Sequence, residues 1–164
     1  MPLRSRPFDR DSFLCGSTER AIGTSSLTVS EALGRPVPFA ELLGLLITHR
    51  EPGLARVELA VRTELHNSWG VAHGGVVMAL ADVALAIAAR TMDAAATGAV
   101  TVGMSFTFVG AGRGRLVAEG RCLRYGAQLA FCEGEIRDQA GALVAKAIGT
   151  FKMRRAAAGP VDEP

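Results

Sequence analysis

The sequence predicts an α+β fold in which an antiparallel β-sheet wraps around one long central α-helix. The run VVMALADVALAIAA, residues 76–89, is apolar at every position but one, so a helix here has no polar face and requires burial on all sides. Two extended segments precede this run, and four more, joined by short turns, follow it. A curled antiparallel sheet is the simplest way to bury such a helix.

The elements follow one another in a simple order. Residues 1–36 have no sustained helical or strand period, and we interpret them as an N-terminal extension, partly ordered or flexible. Pro38 is expected to begin a short helix in PFAELLGL, since proline is tolerated in a first helical turn. Strands are predicted in LLITHRE and ARVELAVRT, and after the helix in VTVGMSFTFVG, GRLVAEGRCLRYG, QLAFCEGEIRDQAG and ALVAKAIGTFKM. The predicted domain thus covers residues 37–155, and residues 156–164 form a flexible C-terminal tail.

Composition excludes several classes of partner. The net charge is only +2, and Lys and Arg are scattered, so neither nucleic acid nor an anionic membrane is an expected partner. The first 25 residues lack the apolar core of a secretory signal, and we expect a cytoplasmic protein. Cys15, Cys122 and Cys132 fit neither a metal spacing nor an even disulfide framework, and we interpret them as reduced thiols. No metal or cofactor is expected.

Asp82 is the one ionisable residue in the apolar run. A buried carboxylate without partners costs several kcal/mol, so it needs a function or a set of hydrogen bonds. Gly74 and Gly75 begin the helix, where uncovered backbone N–H groups and the helix dipole can bind a carbonyl oxygen that gains negative charge. The alternative interpretation is that the two glycines only ease entry into the helix. Asp82 lies about 10–11 Å beyond Gly75 on the same helix, too far to share its site. Two antiparallel copies of the helix in a dimer would bring Asp82 of one chain near Gly74 of the other.

The loop before the helix carries further polar candidates. His66, Asn67 and His73 precede the two glycines, and each also has a structural alternative: Asn67 could hold its own turn, and a histidine often only donates a structural hydrogen bond. Ser68 lacks the surroundings of a nucleophilic serine.

The segment HNSWGVAHGGVVMALADVALAIAA resembles the central motif of the PaaI-type acyl-CoA thioesterases of the hotdog fold. That pattern has Asn, Gly, His-Gly-Gly and an acid on the helix, and its members fall here at Asn67, Gly70, His73, Gly74, Gly75 and Asp82. The similarity extends from PFAELLGLLI to GTFKM, roughly residues 37–153. It implies the hotdog architecture, a homodimer with shared active sites, and a dimer of dimers.

The resemblance also implies roles for individual residues in hydrolysing an acyl-CoA or aryl-acyl-CoA. The Gly74 N–H would polarise the thioester carbonyl, and Asn67 would orient the carbonyl or the water. Asp82 of the partner subunit would be the nucleophile or the general base, while Thr101 would help to place the water. His73 is expected mainly to shape the loop. Gly75 is expected to contact the substrate, and Arg121 and Arg124 are the basic candidates for the CoA phosphates.

Other functions are compatible with parts of the pattern. The principal alternative is a non-catalytic hotdog module that binds acyl-CoA as a sensor or carrier partner. A hotdog dehydratase or hydratase is a third possibility, but the His and acid patterns of those families are not found here. Asp82 could also be a purely structural acid capped by hydrogen bonds.

Overall fold

The computed structural model describes residues 26–155. Within this range the helices are Val29–Leu33 (α1), Pro38–Leu43 (α2) and Gly74–Arg90 (α3), with a short 3-10 turn at Thr63–Leu65. The strands are Leu27–Thr28 (β1), Leu46–Glu51 (β2), Leu54–Ala60 (β3), Ala96–Phe108 (β4), Arg115–Tyr125 (β5), Leu129–Asp138 (β6) and Leu143–Arg155 (β7).

The strands form a single antiparallel sheet around α3. Their order is β1-β2-β3-β5-β6-β7-β4, so the described sheet ends at β1 on one side and at β4 on the other. The core lies between this sheet and α3, whose Leu80, Leu85 and Ala88 are fully buried. Helix and sheet approach closely at Gly120 of β5, where a Cβ atom would lie 2.5 Å from the carbonyl oxygen of Ala84. The predicted fold, one long helix wrapped by an antiparallel sheet, is confirmed.

The predicted elements differ from the structure mainly at their ends. The short helix at Pro38 is confirmed, with proline in its first turn. Strand β4 begins at Ala96, four residues before the predicted strand, because the small residues Ala96 and Gly98 pair with Arg155 and Arg154 of β7. Residues 26–36, predicted to belong to the extension, contain β1 and α1, and Val29 is buried in the core. The domain limit at residue 37 stays a prediction, and residues 1–25 and 156–164 lie outside the described residues.

One face of α3 remains open in a single chain. The sequence predicted burial on all sides, but the sheet covers only part of the helix. The uncovered residues recur at helical spacing and form what we call the open stripe: Gly75, Met78, Ala79, Asp82, Val83 and Ala86. Met78 is 44% exposed although its neighbours in sequence suggest a core residue. The stripe is open because the sheet ends at β4 and does not close around the helix.

Strand β4 presents an unusual edge. It pairs with β7 along one side, and among the described residues no strand pairs with its other side. It is 13 residues long, contains no charged residue, and exposes Val100 and Val102. A long apolar edge strand of this kind readily pairs with a strand of another chain. Monomeric proteins usually prevent such pairing by placing charged residues or prolines on the edge strand. No helix within residues 26–155 is long and apolar enough to cross a membrane.

Candidate active site

The start of α3 leaves one backbone donor free. His73 is the N-cap residue, and its side-chain Nδ1 accepts a hydrogen bond from the Gly75 N–H at 3.0 Å. The His73 carbonyl oxygen accepts from the N–H groups of Val76 and Val77. Among residues 26–155, the Gly74 N–H has no hydrogen-bond acceptor. The helix dipole reinforces this donor, so Gly74 is the position at which a carbonyl oxygen could bind.

The preceding loop is held by Asn67. Its side-chain Oδ1 accepts from the N–H of Trp69 at 2.9 Å and from that of Val71 at 3.4 Å. Gly70 has a φ of 68°, in the left-handed region that favours glycine, and its N–H donates to the Asn67 carbonyl. The side-chain oxygen of Asn67 is therefore committed to the loop. Its amide NH₂ has no acceptor in the described part of the chain and can donate to a ligand.

Asp82 and Thr101 are in direct contact. The Thr101 hydroxyl donates to Asp82 Oδ1 at 2.6 Å, across 19 residues of sequence. Thr101 lies on β4 opposite Phe151, a fully buried residue of β7, so its side chain points toward α3. The hydroxyl fixes one carboxylate oxygen and leaves the other for a second partner. Asp82 is only half-buried, because it lies on the open stripe.

An apolar strip connects the two ends of the site. Three further side chains of β4 face α3 with Thr101: Met104, Phe106 and Phe108. The Phe108 ring lies near Gly74, 3.5 Å from the position of a Cβ atom there, and it stacks on Phe106 with ring centroids 6.0 Å apart. Because β4 runs antiparallel to α3, Phe108 marks the Gly74 end and Thr101 marks the Asp82 end. Those ends are eight residues, or about 12 Å, apart along one helix.

The structure does not bring Arg121 and Arg124 to this site. Arg121 follows Gly120, which faces α3, so the Arg121 side chain lies on the outer face of the sheet. There it lines an open cavity of about 540 Å³ together with Glu119, Glu133 and Lys146. Arg124 is an exposed residue near the end of β5. Within one chain these two residues are separated from Asp82 by the sheet.

Comparisons with known proteins show the family to which this chain belongs. A sequence model of the Thioesterase superfamily matches residues 70–145, from the loop before α3 into β7. A Deinococcus radiodurans protein named "Putative esterase" is 38% identical over 117 residues, covering 71% of this chain and 79% of that protein. The chain belongs to the thioesterase superfamily.

Solved structures of other proteins share this hotdog architecture. The E. coli PaaI protein from the phenylacetic acid degradation operon aligns with a TM-score of 0.70 and 26% identity, over 76% of this chain and 90% of PaaI. The TT0310 protein of Thermus thermophilus aligns with a TM-score of 0.64 and 35% identity, over 73% of this chain and 98% of that one. Membership of the thioesterase superfamily supports hydrolase activity toward thioesters.

Two exposed apolar residues near this candidate site were not singled out from the sequence. Met78 lies on the open stripe between Gly74 and Asp82, and within an unbroken apolar run nothing distinguished it from core residues. Trp69 is 81% exposed on the loop that Asn67 holds. Its backbone N–H donates to the Asn67 side chain, while its ring is exposed to solvent. The available signal was the one tryptophan of the chain in a polar, Gly-containing loop, because tryptophan is enriched at interfaces.

Proposed function

We propose that this protein hydrolyses an acyl-CoA or aryl-acyl-CoA thioester to the free acid and CoA, in active sites shared between two copies of the chain. The observation that carries the proposal is the position of two complementary half-sites on one helix, α3. The free Gly74 N–H at the helix start is one half-site, and Asp82 on the open stripe, held by Thr101, is the other. A substrate at Gly74 needs an acid from elsewhere, because Asp82 of the same chain is about 12 Å away.

Two features support a dimer that completes the site. The open stripe exposes apolar surface along α3, and the adjoining edge of β4 offers unpaired backbone groups. A two-fold axis through β4 would continue the sheet into the partner and place the two α3 helices side by side and antiparallel. Asp82 of the partner subunit would then lie near Gly74. The small side chains of Ala79 and Ala86 permit a close approach of the helices.

The proposed reaction needs few groups. The Gly74 N–H and the helix dipole stabilise the oxyanion that forms on the thioester carbonyl, and the Asn67 amide donates to the carbonyl or the water. Asp82 of the partner subunit attacks the carbonyl carbon itself or deprotonates the attacking water. The CoA thiolate leaves without protonation, since a thiol pKa of about 8.5 makes it a good leaving group. His73 holds Gly75 and so orients the Gly74 donor.

The apolar strip is the proposed acyl site. Met104, Phe106 and Phe108 run between the two half-sites, with Met78 across from them on the open stripe. The stacked phenylalanine rings suit an aryl group, and the operon named for the E. coli PaaI protein supports including an arylacetyl-CoA among the substrates tested. Arg121 and Arg124 remain the proposed contacts for the CoA phosphates, and another subunit must bring them to the site.

Thiol release from a panel of short, medium, long and aromatic acyl-CoAs tests this function. The wild-type protein is expected to release CoA from at least one member. Asp82→Asn, which keeps the side-chain size, is expected to lower kcat by about 10² to 10⁴, the usual contribution of a positioned acid or base. Binding of acyl-CoA without release would favour the non-catalytic module. Undiminished release by Asp82→Asn would refute the mechanism.

Thr101→Val is expected to lower kcat by about 10-fold to 100-fold, because a hydrogen bond to a charged group contributes about 1.5 to 3 kcal/mol. Valine has the shape of threonine but cannot donate to Asp82. Thr101→Ser retains the hydroxyl and should keep most of the activity. Steady-state kinetics should show the loss in kcat with little change in KM. Equal kcat values for the Val and Ser variants would show that the Thr101 hydrogen bond has no role in the reaction.

A further inference from the structure

Cys122 and Cys132 face each other across the two neighbouring strands β5 and β6. They are direct partners in the antiparallel register of β5 and β6. The Cys122 N–H donates to the Gly53 carbonyl at 2.8 Å, on the side of β5 opposite β6. The two cysteines therefore form a non-hydrogen-bonded pair, the type whose Cα atoms lie about 4.5 Å apart. That separation is within the range that a disulfide spans.

The two thiols differ in exposure and in acidity. Cys122 is half-buried, whereas Cys132 is only 2% exposed. The close approach of the Cys132 thiol, and to a lesser degree the Arg124 N–H, lowers the pKa of Cys122. The same contact raises the pKa of Cys132, and burial raises it further. Cys122 is thus the nucleophilic member of the pair, because a peroxide reaches the half-buried Cys122 more readily than the buried Cys132, and the lowered pKa favours the Cys122 thiolate.

The backbone explains why Arg124 can reach that sulfur. The register between β5 and β6 shifts between Cys122 and Arg124, so that one extra residue, Leu123, bulges out of the sheet. In a regular strand the N–H of Arg124 would point in the same direction as the N–H of Cys122, toward β3. The bulge redirects the Arg124 N–H toward the cysteine side chain. Cys122 packs against the core but is only half-buried, so it is the member of the pair that solvent can reach.

We propose that Cys122 and Cys132 are a peroxide-responsive pair that closes into a cross-strand disulfide. The Cys122 thiolate attacks hydrogen peroxide; an S–O bond forms, the O–O bond breaks, and hydroxide leaves. The Cys132 sulfur then attacks the Cys122 sulfur of the sulfenic acid. An S–S bond forms, the S–O bond breaks, and the oxygen leaves as water with the Cys132 proton. Two thiols supply the two electrons that reduce one peroxide, and a dithiol reductant reverses the change.

Peptide mapping of the oxidised full chain tests the proposal without relying on activity. Trypsin cleaves after Arg121, Arg124 and Arg137, so Cys122 and Cys132 fall in different peptides, residues 122–124 and 125–137. A Cys15→Ser background removes the third cysteine. After hydrogen peroxide and alkylation without reductant, we expect those two peptides joined and the intact mass lowered by about 2 Da. Dithiothreitol should abolish both signals.

Two single variants in that background test the order of the steps. With Cys132→Ser, the sulfenic acid on Cys122 has no resolving thiol and should be trapped by dimedone. With Cys122→Ser, dimedone should label Cys132 at least ten times more slowly, because Cys132 is only 2% exposed and burial raises the pKa of its thiol. Equal labelling of the two cysteines would overturn the assignment of Cys122 as the nucleophile. Absence of the joined peptide in the Cys15→Ser protein, which retains both members, would overturn the pair itself.

Discussion

Gly74→Pro is expected to lower kcat for acyl-CoA hydrolysis by about 10² to 10³, the usual effect of removing one oxyanion donor. Proline has no N–H, and it is tolerated at the first position of a helix, which Gly74 occupies. His73 has φ −61° and ψ 138°, the extended conformation that a residue before proline prefers. The change therefore removes the free donor at the start of α3 while the helix keeps its N-cap. Steady-state thiol release provides the measurement.

Gly74→Ala is the matched control for this experiment. It retains the N–H and adds a Cβ atom that would lie 3.5 Å from Phe108 Cζ, an ordinary van der Waals contact. Its kcat should remain within a few-fold of wild type, and circular dichroism of both variants should show equal helix content. A Gly74→Pro protein as active as Gly74→Ala would show that the Gly74 N–H does not polarise the carbonyl.

Mixing Asp82→Asn with Gly74→Pro is expected to restore activity. In a shared site, each heterodimer has one intact site, made from the Gly74 end of one chain and Asp82 of the other. Random exchange in an equal mixture makes half of all dimers mixed, so about a quarter of the wild-type activity should return. The chains are unfolded together and refolded, or co-expressed with different tags and purified as the mixed dimer.

As a control, each variant is refolded alone by the same procedure and its activity is measured. A site contained within one chain gives the opposite result, because no chain in the mixture has both Gly74 and Asp82. Activity that remains at the level of the separate variants, in a preparation shown to contain mixed dimers, would refute the shared site. A protein that sediments as an active monomer would refute it independently.

The sequence anticipated much of the site because its residues are close together in the chain. The loop, the two glycines and Asp82 lie within 17 residues, from His66 to Asp82, and helix geometry alone relates their positions. Thr101 was included in the site only through family resemblance, and its contact with Asp82 came from the structure, since a strand register determines it. The hydrogen bonding at the start of the helix was not predicted from the sequence. The Gly75 N–H donates to the His73 side chain, whereas the Gly74 N–H has no acceptor in the described part of the chain.

The sequence by itself determined the order of the helices and strands from Pro38 onward, the wrapped helix, and the presence of an acid that a single helix cannot bring to its own N-terminus. These follow from hydrophobic periodicity and helix rise, which are local properties. Only the tertiary structure decided which stripe of α3 stays open, that Arg121 lies on the outer face of the sheet, and that Cys122 opposes Cys132. Each of these depends on strand pairing and on bulges, where a shift of one residue turns a side chain to the other face.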